Sequence, residues 1–259
     1  MIKDALLCMS MFFCVAQNTL AIDVQKYIYR GDFTAPEVVF EEGFTSRGNN
    51  REILQHIIGD SIRNNTDAFI SATTSMDSVM QIAGDLLIPS GDNRTWWVYS
   101  ITPSHNFYDI NNSLVFAAVN QSIPLELNRQ SYGLYSIFGW QNEVSAINRV
   151  PQHQIAYAQA ARRVVNDDGT EEVILDENRI YNRNYIDTVP SINPALLTPT
   201  RNIQDFPVEY YGDLDREPVQ ISFNIEGCPI MRSASEVCKQ AEYSSIEYIA
   251  LSRLFIFIE

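Results

Sequence analysis

The 259-residue chain is poor in cationic residues, with 18 Lys and Arg against 32 Asp and Glu, which gives a formal net charge of −14. Proteins bind nucleic acids largely through contacts of lysine and arginine with phosphates. The shortage of positive charge therefore argues against a nucleic-acid partner and against docking on an anionic membrane surface. Acidity also keeps proteins soluble, so it does not by itself indicate any partner.

Several common catalytic signatures are missing. The sequence contains no G-x-G-x-x-G, no G-x-S-x-G and no H-E-x-x-H. A Rossmann dinucleotide fingerprint, a serine-hydrolase elbow and a zinc-protease helix are therefore not indicated. Internal repeats and low-complexity tracts are absent too, and the length and 46% hydrophobic content suffice for one sizeable core.

The N-terminal stretch "MIKDALLCMSMFFCVAQNTLA" (1–21) is typical of a secretory signal peptide. Lys3 precedes an apolar run over residues 5–16, and the small residues Thr19 and Ala21 suit a signal peptidase. Cleavage after Ala16 fits as well. The apolar run is too short to span a membrane stably, so we expect an exported protein.

Cysteine is scarce, and removal of the signal peptide would also remove Cys8 and Cys14. The remaining pair, Cys228 and Cys238, would then lie in an oxidising environment, which predicts a disulfide. Such a short closed loop contributes roughly 3 kcal/mol by loop entropy. A metal site is not indicated, because two thiols do not complete a tetrahedral site and no histidine is near in sequence.

Short strands interspersed with short helices predict an α+β fold without the rhythm of a parallel βαβ sheet. Helix-start signals predict helices over 34–44 and 50–59. The β-forming segments are 22–30, 67–75, 95–102, 139–147 and 155–165. Asp168-Gly169 predicts a hairpin turn before the return strand "EEVIL". Residues 178–227 are expected to meander over the surface, and residues 113–138 carry no chemical signal.

Three separated stretches carry candidate chemistry: "YIYRGD" (27–32), "FISATTS" (69–75) and "WQNEV" (140–144). On a strand, the spacing of Gln141 and Glu143 would place both side chains on one face. Each stretch alone is ordinary, since an Arg close to an Asp is usually a surface pair and a hydroxyl-rich strand is usually only a strand. The three are informative only as a set.

As a set they resemble the enzymatic subunits of the pertussis toxin and cholera/heat-labile enterotoxin group of ADP-ribosyltransferases. The block "YRGDFTAPEVVFEEGFTSRGNNREILQHIIG" (29–59) is most similar to the pertussis type. "DAFISATTS", "HNFYDI" (105–110) and "QNEVSAINRVPQHQI" (141–155) follow in the same order. The resemblance implies the ADP-ribosyltransferase fold over residues 22–227, with two small mixed β-sheets and short flanking helices around an NAD cleft.

The resemblance also implies the site. Glu143 is similar to the catalytic glutamate of a Gln-x-Glu pair, and His56 to a histidine that assists catalysis. Ala72 and Thr73 depart from the Ser-Thr-Ser strand of the family, although Thr73 keeps a hydroxyl. The implied catalytic residues are Glu143, Arg30, Ser71 and His56; the implied NAD contacts are Arg30, Asp32, Ser71, Thr73, Gln141 and Glu143, and no metal is implied.

These residue types suit the chemistry. Cleavage of the nicotinamide–ribose bond of NAD develops positive charge on the ribose, which the fixed carboxylate of Glu143 can stabilise. The planar fork of Arg30 can make several directed bonds to a diphosphate or a polar network. Ser71 can orient Glu143. Without the resemblance, His56 between isoleucines on a helix would be an ordinary core residue.

The resemblance leaves the acceptor open. Cholera-type toxins with Glu-x-Glu modify arginine, and the pertussis type with Gln-x-Glu modifies a cysteine of heterotrimeric G-protein α subunits. Gln141 favours the second, which makes a host G-protein α subunit the leading candidate target. An NAD glycohydrolase and a non-catalytic secreted binding protein on the same fold are the alternatives.

The C-terminal stretch "CPIMRSASEVC" (228–238) is similar in layout to the nicking loop of enterotoxin A chains, with Arg232-Ser233 as the protease site. The tail 239–259, with apolar residues at roughly helical spacing, would then dock into a ring of binding subunits, expected to be a pentamer. The alternative is that the tail is the last element of the core. The resemblance implies secretion, uptake and action in the host cytosol.

Overall fold

The computed structural model of the chain describes residues 25–91 and 93–204, together with the backbone of two short strands at Ser222–Phe223 and Pro229–Ile230. The predicted signal peptide (1–21), Cys228, Cys238, Arg232, Ser233 and the tail 239–259 lie outside the described residues. Their predicted roles stay predictions.

The described chain is α+β, as predicted. Its strands are β1 (Ile28–Asp32), β2 (Phe44–Thr45), β3 (Phe69–Thr73), β4 (Trp96–Ile101), β5 (Phe107–Asp109), β6 (Glu143–Ile147), β7 (Arg149–Val150), β8 (Ile155–Val165), β9 (Glu171–Leu175), β10 (Ile180–Tyr181), β11 (Ser222–Phe223) and β12 (Pro229–Ile230). Its helices are α1 (Pro36–Glu42), α2 (Ile53–Ile57), α3 (Asp60–Arg63), α4 (Met76–Ser90), α5 (Ile110–Val119) and α6 (Leu125–Phe138). Short 3₁₀ turns occupy Gly139–Gln141 and Gln152–Gln154.

The main sheet has the strand order β10-β8-β4-β1-β3-β6-β5, with β9 paired to β8. Along most neighbours several residues pair in register, but β1 and β3 share only the pair Tyr29–Thr73. The sheet therefore consists of two halves, a first half (β10, β9, β8, β4 and β1) and a second half (β3, β6 and β5). The expectation of two small sheets is confirmed, and the ladders between their described strands are antiparallel rather than mixed.

Three apolar clusters hold the helices on the sheet. One lies between the two halves and α1, a second packs α2, α5 and α6 on Phe69 of β3, and a third packs α4 on Trp96 and Val98 of β4. Burial of such side chains contributes roughly 1.5–3 kcal/mol each. The helices α2 and α5 are thereby fixed beside β3 and β6, where the candidate site lies.

Most predicted elements are present within a few residues of their predicted bounds. The predicted helix over 50–59 is present as α2, which ends at Ile57, just before Gly59 with its positive φ of 76°. Gly169, at φ 82°, makes the predicted hairpin turn between β8 and β9. The segment 139–147 begins as a 3₁₀ turn, so its strand starts only at Glu143. The helices α4, α5 and α6 are additions to the prediction.

Residues 182–204, here called the strap, follow β10 and form no helix, and Asn193 among them bridges to Tyr108. Asn182 donates to the carbonyl oxygens of Gln152 and Ile155, both at 2.8 Å. Farther along, the main-chain N–H of Thr200 donates to Glu52 at 2.8 Å. This agrees with the meandering surface segment predicted there. Within the described part of the chain, no helix combines the length and the apolar character needed to cross a membrane.

Candidate active site

Arg30 occupies the opening where β1 and β3 part. Its Nη1 donates to the carbonyl oxygen of Ser71 at 3.0 Å, and its Nη2 pairs with Asp32 Oδ2 at 2.8 Å. The guanidinium also lies over the ring of Phe44, 4.8 Å from its centroid. A buried carbonyl oxygen needs a hydrogen-bond donor. Because β1 and β3 form no ladder pair beyond Tyr29–Thr73, the side chain of Arg30 supplies this donor. The side chain therefore bridges the two halves of the sheet.

Asp32 supports that arrangement from the end of β1. Its second oxygen, Oδ1, accepts hydrogen bonds from the main-chain N–H and the hydroxyl of Thr34, at 2.9 and 2.8 Å. The carboxylate is buried and engages Arg30 and the turn at the same time. Its described bonds are thus to the protein, which fits a role in holding Arg30.

His56, on α2, lies between two carboxylates. Its Nδ1 is 2.8 Å from Asp67 Oδ2 and its Nε2 is 2.8 Å from Glu143 Oε1. The imidazole is 1% exposed and Glu143 is 4% exposed. The predicted catalytic glutamate and the predicted assisting histidine are therefore in direct contact.

The electrostatics follow from this contact. Burial by itself lowers the pKa of His56, but the adjoining Asp67 and Glu143 carboxylates outweigh it and raise the pKa to about 10. Burial likewise raises the pKa of Glu143, yet the charge of His56 and the hydrogen bonds from His56 and two serines hold it below its ordinary value. Glu143 is consequently ionised at neutral pH despite its burial.

The two serines lie opposite each other on β3 and β6. Ser145 Oγ donates to Glu143 Oε1 at 2.7 Å. Ser71 Oγ is 3.4 Å from His56 Nε2 and also helps to lower the pKa of Glu143. Ser71 thus lies where the prediction that it orients Glu143 requires.

Gln141 does not share a strand with Glu143, so the expectation that strand alternation aligns their side chains is wrong. Gln141 ends a 3₁₀ turn, Asn142 follows with a left-handed φ of 48°, and only then does β6 begin. Both side chains are nevertheless buried. Thr73 Oγ1 donates to the carbonyl oxygen of Gln141 at 2.5 Å, which ties this turn to β3.

Asn111, in the first turn of α5, holds the same segment from the other side. Its Nδ2 donates to the carbonyl oxygen of Gly139 at 2.6 Å, and its Oδ1 accepts from the main-chain N–H of Glu143 at 3.3 Å. One amide side chain therefore spans the segment 139–143, which carries Gln141 and Glu143.

The structure brings together every described residue that the sequence predicted for the site. Asp67, Ser145 and Asn111 join them and were missed by the prediction. Two buried donors at the site, Arg30 Nε and Gln141 Nε2, have no hydrogen-bond partner among the described residues. Such donors fit a ligand rich in oxygen acceptors, as NAD is. Within the described chain, no group of three or more His, Cys, Asp or Glu side chains could hold a metal ion.

Comparison with known proteins gives a consistent picture. The family described as pertussis toxin, subunit 1, matches residues 23–86. Pertussis toxin subunit 1 of Bordetella pertussis is 26% identical over 200 residues, covering 73% of this chain and 71% of the relative. The NAD(+)–arginine ADP-ribosyltransferase Chelt of Vibrio cholerae is 27% identical over 214 residues, covering 77% of this chain and 30% of the relative.

Among solved structures, the protein named EcPltA superposes with a TM-score of 0.54 at 26% identity, covering 68% of this chain and 98% of that chain. The resemblance to the pertussis-type subunits, and the fold that it implied, are thereby confirmed. A further relative is the ADP-ribosylating toxin CARDS of Mycoplasma pneumoniae, which is 28% identical over 87 residues, covering 32% of this chain and 14% of the relative.

Proposed function

We propose that this chain is the catalytic subunit of an exported toxin that transfers ADP-ribose from NAD to a host protein, with release of nicotinamide. The observation that carries the proposal is Glu143, a buried, ionised carboxylate at the junction of the two half-sheets, in a chain similar to ADP-ribosylating toxins.

NAD binding is assigned to the opening spanned by Arg30. The unpartnered Nε of Arg30 and Nε2 of Gln141 offer donors for the oxygen atoms of the dinucleotide. Asp32 holds the guanidinium through an ion pair of 2.8 Å, so the fork is fixed before any ligand arrives. A preorganised donor loses little conformational freedom when it binds.

Glu143 supplies the chemistry. Cleavage of the nicotinamide–ribose bond develops positive charge on the ribose, and a fixed anion beside that centre lowers the barrier. Removing one such contact typically costs on the order of 10²–10³ in rate. His56 and Ser145 hold one oxygen of Glu143, at 2.8 and 2.7 Å, so the carboxylate is aimed as well as charged.

The proposal also covers the acceptor, which is the residue of the host protein that receives ADP-ribose. The relative Chelt is named for arginine as the acceptor. The neutral amide of Gln141 favours the pertussis-type choice, a cysteine of a heterotrimeric G-protein α subunit. Gln141 belongs to the 3₁₀ turn and Glu143 to β6. This separation allows Gln141 to serve the acceptor and Glu143 the ribose.

The proposal includes delivery. The signal peptide 1–21 exports the chain, and the tail 239–259 docks into an oligomer of binding subunits, expected to be a pentamer. Cutting at Arg232-Ser233 and reduction of the Cys228–Cys238 bond then release the catalytic part in the host cytosol, where thiol systems keep such bonds open.

The test compares the full chain with two matched variants. Host-cell lysate is incubated with labelled NAD and the nicked, reduced protein. Glu143→Gln should lower labelling by about 10²–10³ because it removes the anion while keeping the shape. Glu41→Gln, which changes an exposed glutamate on α1, should leave labelling unchanged. Mass spectrometry then identifies the labelled residue.

Two other outcomes separate the alternatives. Nicotinamide release without any labelled protein would make the chain an NAD glycohydrolase. A chain that neither releases nicotinamide nor labels protein would be a binding protein on this fold. Wild-type labelling by Glu143→Gln would remove Glu143 from the catalytic role.

A further inference from the structure

The contacts of His56 define its charge. Asp67 and Glu143 each place a carboxylate oxygen 2.8 Å from one ring nitrogen. An ionised carboxylate only accepts hydrogen bonds, and a neutral imidazole has a single N–H to donate. Two charge-assisted bonds therefore require the imidazolium, a cation between two anions.

We infer that Asp67 is a positioning residue for the proposed reaction: by accepting from Nδ1–H, it keeps His56 cationic and keeps Nε2–H aimed at Glu143. That Asp67 serves a reaction rests on the proposed function, whereas the inferred charge of His56 does not. His56 with one carboxylate could share a single proton with Glu143 and leave the pair neutral. A second carboxylate on the far nitrogen opposes that neutral state, so Glu143 stays an anion in a buried place.

Asp67 is itself rigidly held, as a positioning residue must be. Its Oδ1 accepts from the main-chain N–H of Phe69 at 3.3 Å, and its carbonyl oxygen accepts from Gly48 N–H at 2.7 Å. It also forms a bridge with Asn50. The ring of Phe69 packs on His56, with 4.6 Å between centroids. Asp67 and the imidazole are therefore both located relative to β3.

The other groups around His56 do not supply this charge. From β3, Ser71 presents a hydroxyl 3.4 Å from Nε2, and from β6, Ser145 presents one to Glu143. Arg30 reaches β3 from β1, but its charge is paired with Asp32. Asp67 and Glu143 are the carboxylates that raise the pKa of His56.

The experiment uses the full chain and its Asp67→Asn variant, which keeps the shape of the side chain but removes the charge. Ring-nitrogen NMR shifts follow the protonation of His56 between pH 6 and 10. We expect an imidazolium in the wild type at pH 8, and a titration at least one pH unit lower in Asp67→Asn. The kcat for NAD cleavage should fall roughly 10-fold to 100-fold, with KM for NAD changed less than twofold, because Asp67 reaches the proposed NAD contacts only through His56.

The pH profile distinguishes positioning from mere structural support. The alkaline limb of kcat should move to lower pH in Asp67→Asn together with the NMR titration. The inference would be overturned if the alkaline limbs of kcat fell at the same pH in the wild type and in Asp67→Asn, or if kcat were unchanged in the folded variant. A neutral His56 at pH 8 in the wild type would overturn it without any variant. A cationic His56 in a chain that cleaves no NAD would count against the proposed function instead.

Discussion

Each buried charge at the junction of the half-sheets has an opposite charge beside it. Arg30 pairs with Asp32, and His56 lies between Asp67 and Glu143. An unpaired buried ion is very costly, and breaking a buried pair typically costs about 3–5 kcal/mol. Conditions that discharge one member should therefore destabilise the fold and not only the chemistry.

The free energy of unfolding should fall as the pH rises from about 6.5, the unfolded value of a histidine, to about 10, the folded pKa of His56. A raised folded pKa means that the folded state binds the proton more tightly, so its stabilisation is complete below the lower value and gone above the higher one. Glu143 has the opposite sign: its lowered pKa gives stability that disappears as the pH falls into the acid range.

Urea unfolding at pH 6.5, 8 and 9.5 measures this slope. Glu143→Gln removes one of the two carboxylates that raise the pKa of His56, so its stability should depend less steeply on alkaline pH. The tyrosines and lysines are the same in both proteins and cancel in the comparison. Parallel curves for the two proteins would contradict the expectation.

At the residue scale, the resemblance to a known family predicted which residues form the site, and only the structure shows which of them are in contact. Ser145 could have been predicted, since it stands two residues after Glu143 on a strand and shares its face. Asp67 could not, because the helix α3 and the turns on either side of it separate Asp67 from His56, and no local pattern links them. Asn111 likewise acts on a segment 28 to 32 positions away.

Among the elements, the turn over 139–143 decides where the side chains of Gln141 and Glu143 point. Asn142 takes the left-handed region that Asn tolerates better than most residues, and the strand begins immediately after it. Thr73 ties the turn to β3 and Asn111 ties it to α5. The conformation is therefore held from two sides.

Asn111→Ala should loosen this turn. Losing its hydrogen bonds should cost roughly 1–3 kcal/mol of stability and lower kcat about tenfold through misplacement of Glu143. The neighbouring Asn112→Ala is the control, since Asn112 bonds to Asp109 rather than to the turn. Urea unfolding and NAD cleavage are measured on both variants, and equal effects of the two would argue against the assignment.

Two of the missed helices, α5 and α6, have a common physical cause. Their buried stripes contain polar residues, which interrupt the apolar periodicity on which helix prediction depends. Ser113 of α5 and Ser131 of α6 are buried because their hydroxyls donate to main-chain oxygens four residues earlier, at 2.6 and 2.7 Å. By contrast α4 has apolar residues at Val79, Ile82, Ala83, Leu86 and Leu87, a helical spacing that the sequence does display.

For the whole molecule, the strap connects residues far along the chain to the helices beside the candidate site. Thr200 donates from N–H and hydroxyl to buried Glu52, at 2.8 and 2.6 Å, directly before the helix that carries His56. Leu197 and Ile203 pack on the cluster formed by α2, α5 and α6. The strap therefore packs on the core that supports the site.

Two adjacent leucines test this. Leu197→Ala should lower the free energy of unfolding by about 1–3 kcal/mol, because it removes packing from the α2 cluster. Leu196, 41% exposed on the same strap, should change it by less than about 0.5 kcal/mol when replaced by Ala. Urea unfolding of the full chain measures both, and equal losses would mean that the strap is not docked through Leu197.

The single Tyr29–Thr73 pair between the half-sheets has a mechanical consequence. A complete ladder joins two strands by many hydrogen bonds, whereas β1 and β3 are joined by one ladder pair and by the guanidinium of Arg30. The sheet should therefore deform most easily along the boundary between β1 and β3, which is where the proposed function places NAD. Under the proposed function, a dinucleotide bound to Arg30 on one half-sheet and to Gln141 beside the other would stiffen this boundary for as long as it stays bound.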